Sequence, residues 1–405
     1  MEPKTKVVEY LGLRRSIVGV LTMAILVGMG EHMAERFLPI YIIALGGGTM
    51  AIGLLNGLDN LLSALYSFPG GYLADRFGEK RALLIFNLVA IVGYAIVILF
   101  PTWQAVIVGA FFFLSWSAIS LPATMGIVSK ALPKHKRTMG VSMHSMVRRV
   151  PMSLGPIAGG IFIGIWGETL GVRIAFGFAI LMSLVALFLQ QRLIHDEPGL
   201  RKKGEAEGNP LRLWGQMTPQ LRNLLVADVL VRFCEQIPYA FVVVWSMKVI
   251  EAPVTALQFG LLTTVEMVTA MLIYVPVAHY ADKSHKKPFV VATFLFFTAF
   301  PLVLMFSRSF WPLVLAFVVR GLKEFGEPTR KALIMDLAPE GRKAGMFGLY
   351  YLVRDVIVSI AAFGGAFLWG MSPDTNFLAA AAFGLVGTLW FAWRGTSLNA
   401  PGSTK

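Results

Sequence analysis

Ionisable side chains recur inside stretches of this chain that are otherwise apolar. Glu31, His32, Glu35 and Arg36 fall in the first such stretch, Asp59 in the next, and Arg148 and Arg149 in a later one. The second half repeats the theme with Arg232 and Glu235, then Glu266, then Arg320, Lys323, Glu324, Glu327, Arg330 and Lys331, then Arg354 and Asp355. A charge surrounded by hydrocarbon is costly and is kept where it faces a polar interior, so these are the residues that could do chemistry. The chemistry open to them is ion pairing, contact with a charged solute, and carriage of protons. Glu31 and Glu35 stand one turn apart on one helical face. Burial disfavours the charged form of a carboxylate, which is what a proton carrier requires. A structural salt bridge to Arg36 or Arg232 is the alternative for this pair. Metal binding with His32 is the weakest reading, because Arg36 breaks the nearest zinc pattern, H-x-x-E-H, and no metal site is expected.

Residues 320, 324, 327 and 331 follow helical spacing and predict one charged stripe, with (i, i+4) partners Arg320–Glu324 and Glu327–Lys331. The stripe either touches solute and gate or pairs structurally. Asp59 and Glu266 are open between interface pairing and proton traffic.

The elements that must carry these charges are membrane spans. Of 405 residues, 56% are hydrophobic and only 15% charged, whereas a soluble domain carries about a quarter charged residues. Stretches long enough to cross a bilayer recur along the chain, at 16–45, 50–74, 82–100, 103–130, 138–166, 172–192, 222–249, 256–281, 288–306, 311–336, 344–370 and 376–394. The expected fold is an all-α polytopic membrane protein, twelve transmembrane helices in two pseudo-symmetric six-helix bundles. The stretch after Arg14 and Arg15 reads as the first span, not as a cleavable signal.

The net charge of +13 is topological. Most Lys and Arg fall in the termini and in loops after even-numbered spans, as on the cytoplasmic side of membrane proteins; Arg173, Lys248 and Arg308 lie opposite. Both termini are therefore expected in the cytoplasm, and no nucleic-acid partner is needed. The single cysteine, Cys234, excludes an intrachain disulfide framework and a cysteine zinc cluster. No phosphate loop or nucleophile elbow is present, so neither enzyme chemistry nor ATP drive is expected, and no cofactor.

One long hydrophilic segment, 193–221, divides the spans six and six, giving an N-terminal bundle (1–192), a cytoplasmic linker with a short surface helix near Leu211–Trp214, and a C-terminal bundle (222–405). The halves are related. A shift of 207 aligns Gly53-Leu54-Leu55 with Gly260-Leu261-Leu262, Asp59 with Glu266, Pro69 with Pro276 and Ala74-Asp75 with Ala281-Asp282. A shift of 206 aligns Pro122 with Pro328, Pro133 with Pro339, Val147-Arg148 with Val353-Arg354, and Gly159 with Gly365. Parallel repeats imply a solute path between the halves near mid-membrane, and alternating access.

The loop after the second span reads Gly71-Tyr72-Leu73-Ala74-Asp75-Arg76-Phe77-Gly78-Glu79-Lys80-Arg81, with a degenerate copy at Ala281-Asp282-Lys283. It resembles the signature loop of the major facilitator superfamily of secondary transporters; Glu79 departs where a basic residue is usual. The resemblance implies that Gly71, Asp75, Arg76, Gly78 and Asp282 form a gating loop that latches the halves when the transporter faces outward. Gly155-Pro156-Ile157-Ala158-Gly159-Gly160 looks like the end of a motif found in proton-driven exporters of that superfamily, although Ser142 and Pro151 occupy the places of its upstream glycines. Gly155, Pro156, Gly159 and Gly160 are expected to bend and closely pack the fifth span.

The resemblance also implies that spans one, four, seven and ten line the cavity. The fourth offers only Ser115, Trp116, Ser117 and Ser120, lacking the arginine common there in exporters; one appears in the tenth span, as Arg320-Gly321. The expected function is proton-coupled export, acting as a monomer in a prokaryotic inner membrane, of a small polar, charged or amphipathic solute. Glu31, Glu35, Asp59, Glu235 and Glu266 are the proton-coupling candidates. Arg36, Arg148, Arg232, Arg320, Lys323, Glu324, Glu327, Arg354 and Asp355 are the cavity candidates. The rivals are uptake or exchange of an organic anion held by Arg320, Arg232 and Arg148, and a non-transporting receptor on the same fold.

Overall fold

A computed structural model describes residues 15–114, 116, 120, 124, 137–194, 210–281, 285–339 and 343–396. These residues form helices and connecting turns, with no strand among them. In chain order the helices are α1 (Arg15–Glu35), α2 (Leu38–Ala44), α3 (Thr49–Phe77), α4 (Glu79–Leu99), α5 (Trp103–Phe113) and α6 (Arg137–Leu193). Next come α7 (Pro210–Gly215), α8 (Pro219–Gln236), α9 (Phe241–Val244) with a π-helical turn at Trp245–Val249, and α10 (Ala256–Ala281). The last are α11 (Lys286–Phe306), α12 (Phe310–Leu322), α13 (Glu327–Leu337), α14 (Lys343–Met371) and α15 (Pro373–Arg394).

Local chemistry starts several of them. Thr218 and Ser372 each accept a hydrogen bond from the backbone N–H three residues on, and the next residue is proline. The hydroxyl satisfies one orphan donor of the first turn, and proline has no N–H to waste there. Gly78, at φ 86°, ends the turn between α3 and α4, a left-handed conformation that costs glycine little.

Among the described residues, seven helical stretches are long and apolar enough to cross a membrane: Val18–Glu35, Glu79–Leu99, Val147–Leu193, Ala256–Ile273, Lys286–Phe306, Gly345–Met371 and Pro373–Arg394. At 1.5 Å per residue, the 21 residues of α4 or α11 match a hydrocarbon core of about 30 Å. Val147–Leu193, at 47 residues, is about twice that length, and Gly167 breaks it at φ 78°. α6 is therefore two spans joined at a glycine. Leu272, Phe306, Trp311 and Leu389 are exposed, a surface suited to lipid and not to water.

Among the described residues, three expected spans are interrupted. The first breaks at Arg36–Phe37 before Pro39, the seventh at 237–240 around Pro238, and the tenth at 323–326 before Pro328. Proline cannot donate to the helix ladder and crowds the preceding turn, so each break falls beside one. By contrast α6 keeps helical angles through Pro151 and Pro156; its only non-helical residue is Gly167.

The chain divides into two compact units. Unit 1 comprises Met1–Gly47, Leu62–Lys202 and Thr255–Leu261; unit 2 comprises Gly48–Leu61, Lys203–Val254 and Leu262–Lys405. In unit 1, α1 packs along α6, and α4 against α5 and α6. In unit 2, α8 and α11 pack against α15, and α14 against α8. The core of unit 2 gathers Leu221, Leu224, Phe294, Leu333, Ile334, Tyr350 and Phe391, and takes in Leu213 of α7. The short linker helix expected near Leu211–Trp214 is thus docked on the bundle through Leu213, with Trp214 left exposed.

Candidate functional site

Most of the charges expected in the second half converge in unit 2. Glu235, on the last turn of α8, accepts from Arg232 Nη1 at 2.6 Å and from Lys323 Nζ at 2.8 Å. Lys323 also lies 3.4 Å from Glu266 Oε1 on α10, and Arg320 Nε reaches the same oxygen at 3.4 Å. The Arg320 guanidinium sits among the rings of Tyr239, Phe300 and Phe317, with its central carbon 5.4, 5.1 and 5.7 Å from their centroids. Aromatic faces attract cations and shield them from lipid.

A second group adjoins the first. Arg330 donates to both carboxylate oxygens of Glu327, at 2.6 and 3.0 Å, and to Asp228 Oδ2. Asp228 also accepts from Tyr350 at 3.0 Å and from Arg354 at 3.5 Å. Arg354 in turn holds Asp355 at 2.7 Å and lies over the Tyr351 ring, 4.2 Å from its centroid. Arg232 joins the two groups, at 3.5 Å from Glu327 and 3.8 Å from Asp228. Asp228, Arg330 and Glu266 are each 1% exposed and Arg320 4%, whereas the Arg232, Lys323 and Glu235 side chains retain 19%, 13% and 10%. The group around Asp228 and Arg330 ties together α8, α13 and α14; in the group around Lys323, charges of both signs stay partly accessible and could exchange partners.

The contacts of the tenth-span charges reach beyond the predicted stripe. Arg320 pairs with Glu266 on α10. Glu327–Lys331 is present at 3.5 Å, but Lys331 is half exposed while Arg330, off the stripe, is buried. The cause is the turn at 323–326, where the backbone bonds run i to i−3 (Phe325 N to Leu322 O, 2.9 Å). That tighter winding shifts the phase of every later residue. Sequence reasoning missed Asp228, Tyr350 and Tyr351. The available signal was an aspartate one turn before Arg232 in an apolar stretch.

In unit 1 the first-span acids are divided. Glu31 is buried and lies within electrostatic reach of Arg148. Glu35 is partly exposed and bound to His32 Nδ1 at 2.7 Å, with Arg36 as a further charged neighbour. The buried Tyr94 ring lies near both acids. No three His, Cys, Asp or Glu side chains gather as a metal ion would need among the described residues.

The glycine motif packs as its composition suggests. A methyl group on Gly155 would fall 2.8 Å from His32 Cβ, one on Gly159 would strike the Met33 backbone, and one on Gly160 would meet Ala256 O at 2.5 Å. Gly71 and Asp75 lie in the helical backbone of α3, with the Asp75 side chain outside the described residues; Arg76 is exposed. Asp282, Ser115 and Ser117 lie outside the described residues, while Trp116 and Ser120 are buried.

Comparison with known proteins identifies the family of the chain. An uncharacterized transporter from Methanocaldococcus jannaschii is 21% identical over 369 residues, 89% of this chain and 90% of the relative. The quinolone resistance protein NorA of Staphylococcus aureus is 23% identical over 207 residues, 50% of this chain and 52% of its own. The crystal structure of a POT family transporter in complex with 5-aminolevulinic acid shares the fold, with TM-score 0.77 at 15% identity, over 93% of this chain and 95% of that one. The Major Facilitator Superfamily model matches residues 20–257 and again 229–403. A chain with apolar crossings, buried charges on broken helices and that match over nearly its whole length belongs to the Major Facilitator Superfamily, and is a multi-pass membrane transporter of small solutes.

Proposed function

We propose that this transporter is a proton-coupled exporter of a small charged or zwitterionic solute. It works by alternating access between two six-helix bundles, 1–192 and 222–405, making twelve spans in all. The observation that carries the reading is the position of Lys323, in the turn that breaks the tenth span, shared between Glu235 and Glu266 and still partly accessible. A cation balanced between two acids can release either one to a proton or to a solute amine, and can itself take a solute carboxylate. Discontinuous helices near mid-membrane are where transporters of several folds bind solute.

Apart from the half-exposed Lys331 at its edge, 3.5 Å from Glu327, the described unit 2 network holds five basic side chains (Arg232, Arg320, Lys323, Arg330, Arg354) and five acidic ones (Asp228, Glu235, Glu266, Glu327, Asp355), each in contact with an opposite charge. That balance favours a zwitterion over a simple organic anion, which would need surplus cations. Export is favoured over uptake by the likeness to NorA, a quinolone resistance protein, and by the glycine motif of α6. The lopsided basic loops support cytoplasmic termini and a cytoplasmic linker at 193–221, in a bacterial or archaeal plasma membrane. The gating loop keeps the latch role its sequence suggests.

Purified protein in proteoliposomes, with and without an imposed pH gradient, tests this. The panel comprises zwitterionic fluoroquinolones, amino acids, cationic dyes and organic anions. Glu235→Gln is expected to abolish gradient-driven accumulation of the transported member while leaving its binding measurable. Glu31→Gln and Glu35→Gln ask the same of the first span. Full gradient-driven transport by all three variants would refute proton coupling through these acids. Transport of organic anions alone, indifferent to pH, would establish the rival.

A further inference from the structure

The first turns of α3 are tied to α8 by amides that the charge network does not use. Gly48–Leu61 belongs to unit 2, and within it Asn56 and Asn60 lie one turn apart on one face. Asn56 Nδ2 donates to the backbone carbonyl of Gln236 at 3.1 Å. Asn60 Nδ2 donates one hydrogen to Gln236 Oε1 at 3.2 Å and the other to the Asn56 carbonyl at 3.0 Å. Asn56 is 4% exposed. Gln236 is the last residue of α8, next to Glu235 and two before Pro238. The amides therefore grip the helix end that presents Glu235 to Lys323 and Arg232. Beside them, methyl groups on Gly53 and Gly57 would strike Ala366 and Phe363 of α14.

Two features separate this grip from scaffold packing. The 207-residue repeat places Thr263 and Met267 where Asn56 and Asn60 stand, so the amides are not part of the repeated framework, whereas Gly53 has its counterpart in Gly260. Amides at this depth must also be satisfied. Parting α3 from α8 leaves these donors and acceptors to water, so the grip is either made or hydrated and has no comfortable halfway state.

We propose that Asn56, Asn60 and Gln236 form a lock. They hold the start of α3 against the end of α8, and position Glu235 in its paired state until that pairing is exchanged. All three are positioning residues, acting through the end of α8. The lock rests on the alternating access proposed above.

Spin labels at Thr49→Cys, the first residue of α3, and at Glu251→Cys, just beyond the π-helical turn that follows α8 and α9, in a Cys234→Ala background, report the separation of the start of α3 from the second half of the broken seventh span. Double electron–electron resonance is then recorded at several pH values with the protein in lipid nanodiscs. The locked background is expected to favour the short distance. Asn56→Ala/Asn60→Ala should lower the ratio of short to long distances by about tenfold, the effect of losing a few hydrogen bonds in a membrane protein. Asn60→Ala and Gln236→Ala together should shift the ratio no more than Gln236→Ala alone, because both remove one contact. A lower melting temperature with an unchanged ratio would show a structural tie only and overturn the lock, leaving alternating access standing. A single distance in the unmutated background under every condition would overturn both readings.

Discussion

Arg330→Met replaces a 1% exposed side chain by one of similar length without its five N–H donors. Its removal deprives Glu327 of a two-point hydrogen bond and Asp228 of its closest cation. Breaking a buried ion pair from one side costs about 3–5 kcal/mol, because the partner stays behind uncompensated. Asp228 keeps Tyr350 and Arg354, and Glu327 keeps Arg232 and Lys331, so the low end, about 3 kcal/mol, is expected. For a cooperative unit of this size that corresponds to a fall in Tm of about 6–12 °C. The comparison is Lys331→Met, whose side chain is 49% exposed and 3.5 Å from the same Glu327. An exposed pair contributes at most about 1 kcal/mol, so its Tm should move by only a few degrees. The assay is thermal unfolding of purified protein in detergent, followed by tryptophan fluorescence. If Arg330→Met melts with Lys331→Met, the group around Asp228 and Arg330 does not tie α8, α13 and α14 together.

Two further outcomes are expected. Gly159→Ala drives a methyl group into the Met33 backbone and should cost about 1–3 kcal/mol by overpacking, while Gly164→Ala, which meets nothing within 4 Å, should be neutral or slightly stabilising; equal melting temperatures would refute the close packing of α1 on α6. A cysteine at Ser403, in the Cys234→Ala background, should resist impermeant thiol reagents added outside intact cells; labelling there would reverse the topology.

Counting, spacing and one loop motif were enough to mark a membrane transporter of the Major Facilitator Superfamily. Apolar runs of bilayer length, the asymmetry of basic loops and the register of the repeat are legible in the sequence because the solvent acts on each segment separately. Most of the charges that meet in unit 2 were legible too, since any ionisable residue inside an apolar run stands out. So were the glycines of α6, whose lack of a side chain suits close approach wherever they fall.

Only the tertiary structure decided which charges meet. The predicted stripe assumed one helix from 311 to 336, and the turn before Pro328 changed its phase, bringing in Arg330 and turning out Lys331. Arg232 was a possible partner for the first-span acids by sign alone; in unit 2 it contacts Asp228, Glu235 and Glu327. Asp228, a single acid in an apolar run, becomes a hub because three helices bring Arg330, Tyr350 and Arg354 to it. Asn56 and Asn60 carry no charge and no motif, and their partner lies 180 and 176 residues away. Pairing inside a low-dielectric core is set by side-chain reach of a few ångströms between segments remote in the chain, and spacing along one segment carries no information about that distance.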